Sequence, residues 1–245
     1  MEQSTYAVEA EVEATHWWFT ERRRLFGRII GEFDLTADAR ILDIGTSTGT
    51  NLRMLRDLGF VRYEGLDFSE DAVRWCSEKG YGKVTQGDVC RLPFPDATFD
   101  VVLATDIVEH VDDDLGALTE IRRVLKPSGR VLITVPAFKL LWGLQDEVAH
   151  HKRRYRAKQL LLLAANAGLV VQKKFYFNYI LFLPILFARL MIRLLGIRLN
   201  SENQMNSPLI NRILKRVFRF DVWSAPFVRP PFGVSYLIVA GARPE

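Results

Sequence analysis

Three acidic residues stand at the ends of three successive short apolar stretches, and this pattern restricts the chain more than any other feature. Asp43 sits at the end of Arg40 to Ile44, Asp67 ends Tyr63 to Asp67, and Asp88 follows Lys83 to Gln86. The acids are 24 and 21 residues apart, about one strand plus one helix. Between them Gly49 to Leu58 reads as a helix, and Ser69 caps a second one running to about Glu78. The alternation continues. Phe99 to Thr105 reads as a buried strand. Asp112 to Leu125 reads as a helix with Asp112, Asp113 and Asp114 in its first turn, where the helix dipole favours them. Lys126-Pro127-Ser128-Gly129 stops it, and Arg130 to Val135 is a strand. Ala157 to Ala167 is a helix closed by Gly168, followed by a strand from Leu169 to Phe175, and Val234 to Ala240 is the last strand. Such alternation implies a mainly parallel sheet with helices on both faces. Right-handed crossovers then gather ligand groups at the carboxyl ends of the strands.

Two regions stand outside the alternation, which otherwise forms a single domain over 1–245. An N-terminal helical cap covers 1–35, with an amphipathic helix predicted from Thr15 to Ile30. Trp17, Trp18, Phe19, Leu25, Phe26, Ile29 and Ile30 are its apolar residues; Arg22, Arg23, Arg24 and Arg28 are expected in solvent. Trp17 and Trp18 read as core packing. A helical insertion covers 177–232, before the last strand. The start, Met1 to Glu13, is acidic and lacks the pattern of a secretory signal. Two cysteines, Cys76 and Cys90, are too few for a disulfide framework, so a cytoplasmic setting is expected.

Charge is concentrated. From Arg189 to Phe220 there are seven basic residues (Arg189, Arg193, Arg198, Arg212, Lys215, Arg216 and Arg219) and one acid, Glu202, a net +6. The whole chain carries only +4, so the remainder is close to neutral. This argues against a dispersed nucleic-acid surface and for one local patch.

The loop Asp43-Ile44-Gly45-Thr46-Ser47-Thr48-Gly49-Thr50-Asn51 follows a strand and opens a helix. A pyrophosphate gains nothing from the Asp43 carboxylate; a cationic ligand does. A carboxylate at Asp67 suits the two hydroxyls of a ribose, and one at Asp88 can accept from an exocyclic adenine amine. Each acid alone reads as a strand-end cap or a solvated turn. Three together on one sheet edge read as a ligand cleft. A nicotinamide dehydrogenase is the alternative enzyme class; it calls for a third glycine at the helix start and no acid before the loop. A binding or scaffold protein on a degenerate fold is the non-enzyme alternative.

From Arg40 to Phe175, and again in the last strand, the sequence resembles the class I S-adenosylmethionine-dependent methyltransferases. The resemblance rests on Ile41-Leu42-Asp43-Ile44-Gly45, Gly65-Leu66-Asp67, Gly87-Asp88 with Leu92-Pro93-Phe94, Phe99-Asp100-Val101-Val102, Val108-Glu109-His110-Val111 and Leu125-Lys126-Pro127-Ser128-Gly129. It implies a Rossmann-like, doubly wound α/β fold whose seven-stranded sheet has an antiparallel last strand. It implies S-adenosylmethionine as cofactor, with Gly45 and Gly49 framing the methionine moiety, Asp67 holding the ribose, and Asp88 with Val89 holding the adenine. Thr46, Ser47, Asn51, Phe68 and Thr105 complete the implied cofactor set. Ser47 replaces the family's usual middle glycine. His16-Trp17-Trp18-Phe19 and the segment around His151 resemble a bacterial subgroup.

On the acceptor side, Asp106, His110 and His151 are the candidate catalytic residues, with His151 or His110 as a base. Asp106, Glu109 and His110 also resemble the acid–acid–His cluster of metal-assisted ubiquinone-pathway O-methyltransferases. Many members carry Glu-His without a metal, and no metal is assigned. Trp142, Arg153, Arg154 and Tyr155 are the candidate substrate residues, the arginines as holders of an anionic acceptor. Their structural alternative is a helix-start cluster paired with Asp146 or Glu147. Methylation at an oxygen of a small or lipid-linked acceptor is expected. Residues 175–220 combine an uncharged run with basic amphipathic segments, which suits an anionic membrane surface. The alternatives there are a lid packed on the enzyme or a dimer interface. Phe175 to Ala188 has 14 residues and contains Pro184, too short for the ~20 apolar residues a spanning helix needs.

Overall fold

The computed structural model describes residues 3–195 and 207–242; Arg198 and Glu202 of the basic window lie outside them. The described helices are α1 (Gln3–Thr15), α2 (Trp17–Gly31), α3 (Thr50–Asp57), α4 (Glu70–Glu78), α5 (Asp114–Val124), α6 (Leu144–Val148), α7 (Ala157–Asn166), α8 (Phe182–Leu195) and α9 (Pro208–Val228). The strands are β1 (Arg40–Ile44), β2 (Arg62–Asp67), β3 (Lys83–Gln86), β4 (Phe99–Thr105), β5 (Leu125–Pro136), β6 (Leu169–Phe177) and β7 (Ser235–Ala242). They form one sheet in the order β3-β2-β1-β4-β5-β7-β6. β1 to β5 run parallel, and β7 pairs antiparallel with both β5 and β6. This is the seven-stranded sheet with a reversed last strand that the sequence resemblance implies.

β4 explains why the sheet is covered on both faces. Six of its seven residues are buried, so its apolar side chains need partners above and below. One layer packs Val102, Ala104, Ile133 and Ile238 against α5 and α7; the other packs Ile41, Leu103 and Leu237 against α2 and α9. The strand order reverses between β1 and β4, which opens a crevice at their carboxyl ends.

Three sequence expectations need correction. The N-terminal cap holds two helices rather than one, because the acidic start also folds, as α1. The break falls at His16, whose backbone is extended and whose ring accepts from Trp18 N. The freed Trp17 N–H donates to Asn211 Oδ1 of α9 at 2.8 Å. Arg22 is not in solvent but mostly buried, its side chain 15% exposed, as described below. Lys126-Pro127-Ser128-Gly129 does end a helix, yet it is looped out within β5: Phe99 pairs with Leu125 and Val101 with Arg130, so one intervening residue on β4 faces four on β5.

The insertion between β6 and β7 is fastened to the N-terminal cap. Phe218 of α9 is fully buried, with its ring centroid 5.2 Å from that of Trp17 and 5.0 Å from that of Trp18. Arg219 donates to both oxygens of the buried Glu21, at 2.9 and 3.1 Å. Buried Asp221 accepts from the N–H groups of Asn178 and Ile180, at 2.7 and 2.8 Å, and so ends β6. Trp17 and Trp18 thus pack between cap and insertion. Phe218→Ala is expected to cost about 3–5 kcal/mol of stability, read as a lower denaturant midpoint with the slope unchanged.

Candidate active site

The loop from β1 into α3 is built on left-handed backbone. Gly45 has φ +74° and Gly49 has φ +79°. A Cβ on Gly45 would lie 1.9 Å from Ile107 Cδ1, so no other residue fits without displacing the segment after β4. Ser47, in place of the family's glycine, also takes a left-handed conformation, φ +47°. Its N–H donates to Asp67 Oδ2 at 2.8 Å, and Ser69 N–H donates to Asp67 Oδ1 at 2.9 Å. Asp67 therefore holds the loop open from the end of β2 and remains partly exposed. Buried Thr46 bonds back to the Asp43 carbonyl at 3.1 Å.

Asp43 is fully buried beneath this loop. Asn51 Nδ2 donates to Asp43 Oδ1 at 2.9 Å and to Thr105 Oγ1 at 3.2 Å, joining α3 to the ends of β1 and β4. Asp43 Oδ2 has no hydrogen-bond partner. Burial pushes this carboxyl up to about 7, against the Asn51 hydrogen bond and with the charges of Asp67 and Glu13 adding to the rise. Asp88 lies at the end of β3, exposed, with Oδ1 accepting from Cys90 N at 2.8 Å; Val89 beside it is buried. Phe68 projects 79% exposed past Asp67. Glu13 of α1 accepts from Thr48 Oγ1 and from Thr50 Oγ1, which fastens α1 to the loop.

The acceptor side begins at Asp106, itself left-handed at φ +56°. Arg22 pairs with Asp106 Oδ2, and Thr134 Oγ1 donates to Asp106 Oδ1 at 3.1 Å. The Arg22 guanidinium lies over the rings of Trp18, Phe19 and Phe26 at 5.5–5.8 Å. Burial lowers its pKa to about 10. The arginine run after the tryptophans thus delivers a buried cation to the end of β4. The sequence carried no sign of this pairing.

His110 and His151 meet with ring centroids 4.7 Å apart. His151 Nδ1 lies 2.9 Å from Asp146 Oδ1, and Nε2 lies 3.9 Å from Glu109 Oε1. Asp146 is fully buried, also accepts from Arg154 Nε at 2.7 Å and Gly143 N at 2.8 Å, and has Arg189 Nη1 at 3.5 Å. Burial opposes its charge, but the His151 and Arg154 hydrogen bonds outweigh that and hold it down at about 2. An ionised carboxylate only accepts, so Nδ1 carries the proton and Nε2 is the free nitrogen. Burial lowers His110 to about 4, with His151 beside it contributing. Glu109 is fully buried with neither oxygen hydrogen-bonded. Burial raises it to about 8, against the pull of its own backbone N–H and of Arg22 and Arg154. Among the described residues, Glu109, His110 and His151 form a group whose donor atoms all lie within 4.8 Å of one another.

The residues expected to hold an acceptor act internally instead. Arg153 donates to Asp114 at 2.7 Å and to the carbonyls of Val111 and Asp112. Arg154 holds Asp146 and the Ala137 carbonyl. Tyr155 is buried, its hydroxyl 2.8 Å from Asp114. These three clamp the segment carrying His151 onto α5 and the end of β5. Trp142 is half-buried at the start of α6, its carbonyl taken by Arg193. Asp146 was visible in sequence only as a salt-bridge partner; its place five residues before His151 was the available signal.

Residues 42–133 match a family model described as a methyltransferase domain. This domain, together with the methyltransferase relatives and the sheet order, supports a class I S-adenosylmethionine-dependent methyltransferase. Among curated relatives, it is 32% identical over 117 residues to the 27-O-demethylrifamycin SV methyltransferase of Amycolatopsis mediterranei, covering 45% of this chain and 43% of that one. It is 32% identical over 129 residues to a demethylmenaquinone methyltransferase of Staphylococcus aureus, covering 48% and 54%. The chain therefore spans about half the length of each. A solved methyltransferase, in complex with the Trm112 activator of Haloferax volcanii, superposes with a TM-score of 0.65 at 21% identity, covering 98% of this chain and 95% of that one.

The residues present fit the family's cofactor. The left-handed loop brings backbone close to a ligand, and the unpartnered Asp43 oxygen is a buried acceptor for a cationic one. A bound cation stabilises the Asp43 carboxylate, whose proton must leave below pH about 7. S-adenosylmethionine affinity, measured by calorimetry, is expected to fall as pH drops from 8 to 6. In Asp43→Asn the affinity is expected to be at least tenfold weaker, and that pH dependence to disappear.

Proposed function

We propose that this methyltransferase transfers the S-adenosylmethionine methyl group to an oxygen of a small or lipid-linked acceptor. The reading rests on the Asp146–His151 pair beyond the end of β4. A neutral amine can be methylated without losing a proton first, whereas a hydroxyl gains from a base near its proton. A histidine with Nδ1 bound to an ionised carboxylate and Nε2 free suits a hydroxyl. The cofactor supplies a methyl group on a sulfonium, which leaves readily. This chain supplies geometry: the β1–α3 loop holds the donor, and Asp106, held by Arg22 and Thr134, forms the near wall of the acceptor space. Fixing the two reactants at attack distance accounts for much of the acceleration in such displacements.

The lipid-linked option is favoured by the surface beside the site. Leu183, Phe187 and Leu194 on α8 and Leu209, Trp223 and Phe227 on α9 are 57–79% exposed. A groove of about 480 Å³ between α2 and α9 has a floor of Leu25, Phe220 and Trp223 and a rim that includes Arg28, Arg216 and Arg219. Exposed apolar side chains interleaved with arginines suit an anionic lipid surface, while a second copy of the same face would set arginine against arginine. Among the described residues no helix is long and apolar enough to cross a membrane, so this reading is of a helix pair lying on the surface. Arg193 of α8 donates to the Trp142 carbonyl, which places the lipid-facing helix against the segment leading to His151.

Two outcomes are expected. Lipid and glycan extracts incubated with enzyme and cofactor should gain one product heavier by one CH₂; His151→Asn should lose it while binding S-adenosylmethionine as before. Vesicles containing anionic lipid should sediment the protein, and joint Arg212→Gln, Lys215→Gln and Arg216→Gln should weaken this about a hundredfold, at about 1 kcal/mol per basic residue. Equal binding to neutral vesicles would remove the membrane reading.

A further inference from the structure

Glu109 poses a problem that the methyl-transfer reading leaves unsolved. Its carboxylate is completely buried, and neither oxygen has a hydrogen-bond partner. A buried acceptor pair left unmet is costly, and more so when charged. The nearest cations are no remedy. Arg22 and Arg154 both act on Glu109 electrostatically, but Arg22 pairs with Asp106 and Arg154 with Asp146. The remaining neighbours are two imidazoles. His151 Nε2 stands 3.9 Å from Glu109 Oε1, and the His110 ring packs edge-on against that of His151.

Each imidazole is oriented from behind. His151 Nδ1 is held by the Asp146 carboxylate, and the Ala149 backbone faces His110 as its hydrogen-bond partner. Metal-ligating histidines show this arrangement: one ring nitrogen is fixed by a carboxylate or carbonyl, which leaves the other to the ion. The two supports come from one short segment, α6 and the turn after it, so His110 and His151 are set by a common frame.

We propose that Glu109, His110 and His151 bind one divalent transition-metal ion. Two imidazole nitrogens and one carboxylate oxygen suit Zn²⁺ or Fe²⁺ and their neighbours rather than Mg²⁺, which prefers oxygen donors and its own water. The donor atoms already lie within 4.8 Å of one another. Asp106 is not a ligand, because Arg22 and Thr134 hold its two oxygens. Three protein donors leave coordination positions open, and an acceptor oxygen can take one of them. The ion then does for the acceptor what the free Nε2 of His151 does without it. This role rests on the proposed reading of the acceptor space; the binding itself does not.

The test uses the full chain, stripped with chelator and then titrated with Zn²⁺ by calorimetry and with Co²⁺ by visible absorption. One equivalent of each is expected, with d–d bands for Co²⁺ and no competition from a tenfold excess of Mg²⁺. Glu109→Gln and His151→Asn should each weaken Zn²⁺ at least tenfold, and Asp106→Asn should not. S-adenosylmethionine affinity, measured on the same samples, reports that each variant is folded. Failure of the stripped protein to bind Zn²⁺ overturns the proposal, as does binding indifferent to Glu109 and His151 or preference for Mg²⁺. If the cofactor binds while Zn²⁺ does not, the metal site fails and the methyl-transfer reading stands. If Zn²⁺ binds as expected and the cofactor does not, the methyl-transfer reading fails and the metal site stands.

Discussion

The candidate site is organised around a carboxylate that the sheet buries where its strand order reverses. Asp43 has one hydrogen bond on one oxygen, from Asn51, and none on the other. That arrangement is unfavourable for the protein alone: burial raises the carboxyl far above its ordinary range. Its folded pKa exceeds its unfolded one, so this group costs stability increasingly as pH rises from the unfolded value through about 7. The rest of the chain supports that cost with two apolar layers and the hydrogen-bonded loop above it. A strained, under-satisfied group on a rigid scaffold is a recurring property of binding sites. Here it stands beside Gly45, Ser47 and Asp106, all left-handed.

The N-terminal helices complete the site from the other end of the chain. α2 carries Arg22 to Asp106, and α1 carries Glu13 to the two threonines flanking Gly49. The same α2 receives α9 through Phe218 and the Glu21–Arg219 pair. The cap is thus a wedge between the cofactor loop and the insertion. α9 thus packs directly on the helix that holds Asp106.

Much of this was legible in sequence because it is local or periodic. Strand ends and glycine positions follow from spacing, and the reversed last strand from the family resemblance carried by residues such as Asp43, Asp67 and Asp88. What escaped depends on contacts between distant segments. Arg22 looks solvated on a helical wheel, since nothing local shows that Asp106 lies 84 residues away in sequence and adjacent in space. Arg153, Arg154 and Tyr155 look like a substrate cluster because their partners, Asp114 and Asp146, sit on other elements. The looped-out Lys126-Pro127-Ser128-Gly129 escaped because a helix stop and a strand interruption use the same residues.

The Asp146 cluster shows how the acceptor side draws on the insertion. His151 works from a defined tautomer only while Asp146 stays ionised, and a carboxylate with no exposed surface stays ionised only through its donors. His151 and Arg154 are supplied locally. Arg189 arrives from α8, placing Nη1 3.5 Å from Asp146 and donating to the Leu141 carbonyl at the entry to the same segment. A helix that exposes Leu183, Phe187 and Leu194 thus lends a cation to the carboxylate that orients the candidate base. An insertion that served only as a surface anchor would have no need of a buried arginine there. The placement of Arg189 ties α8 to the carboxylate that orients the candidate base.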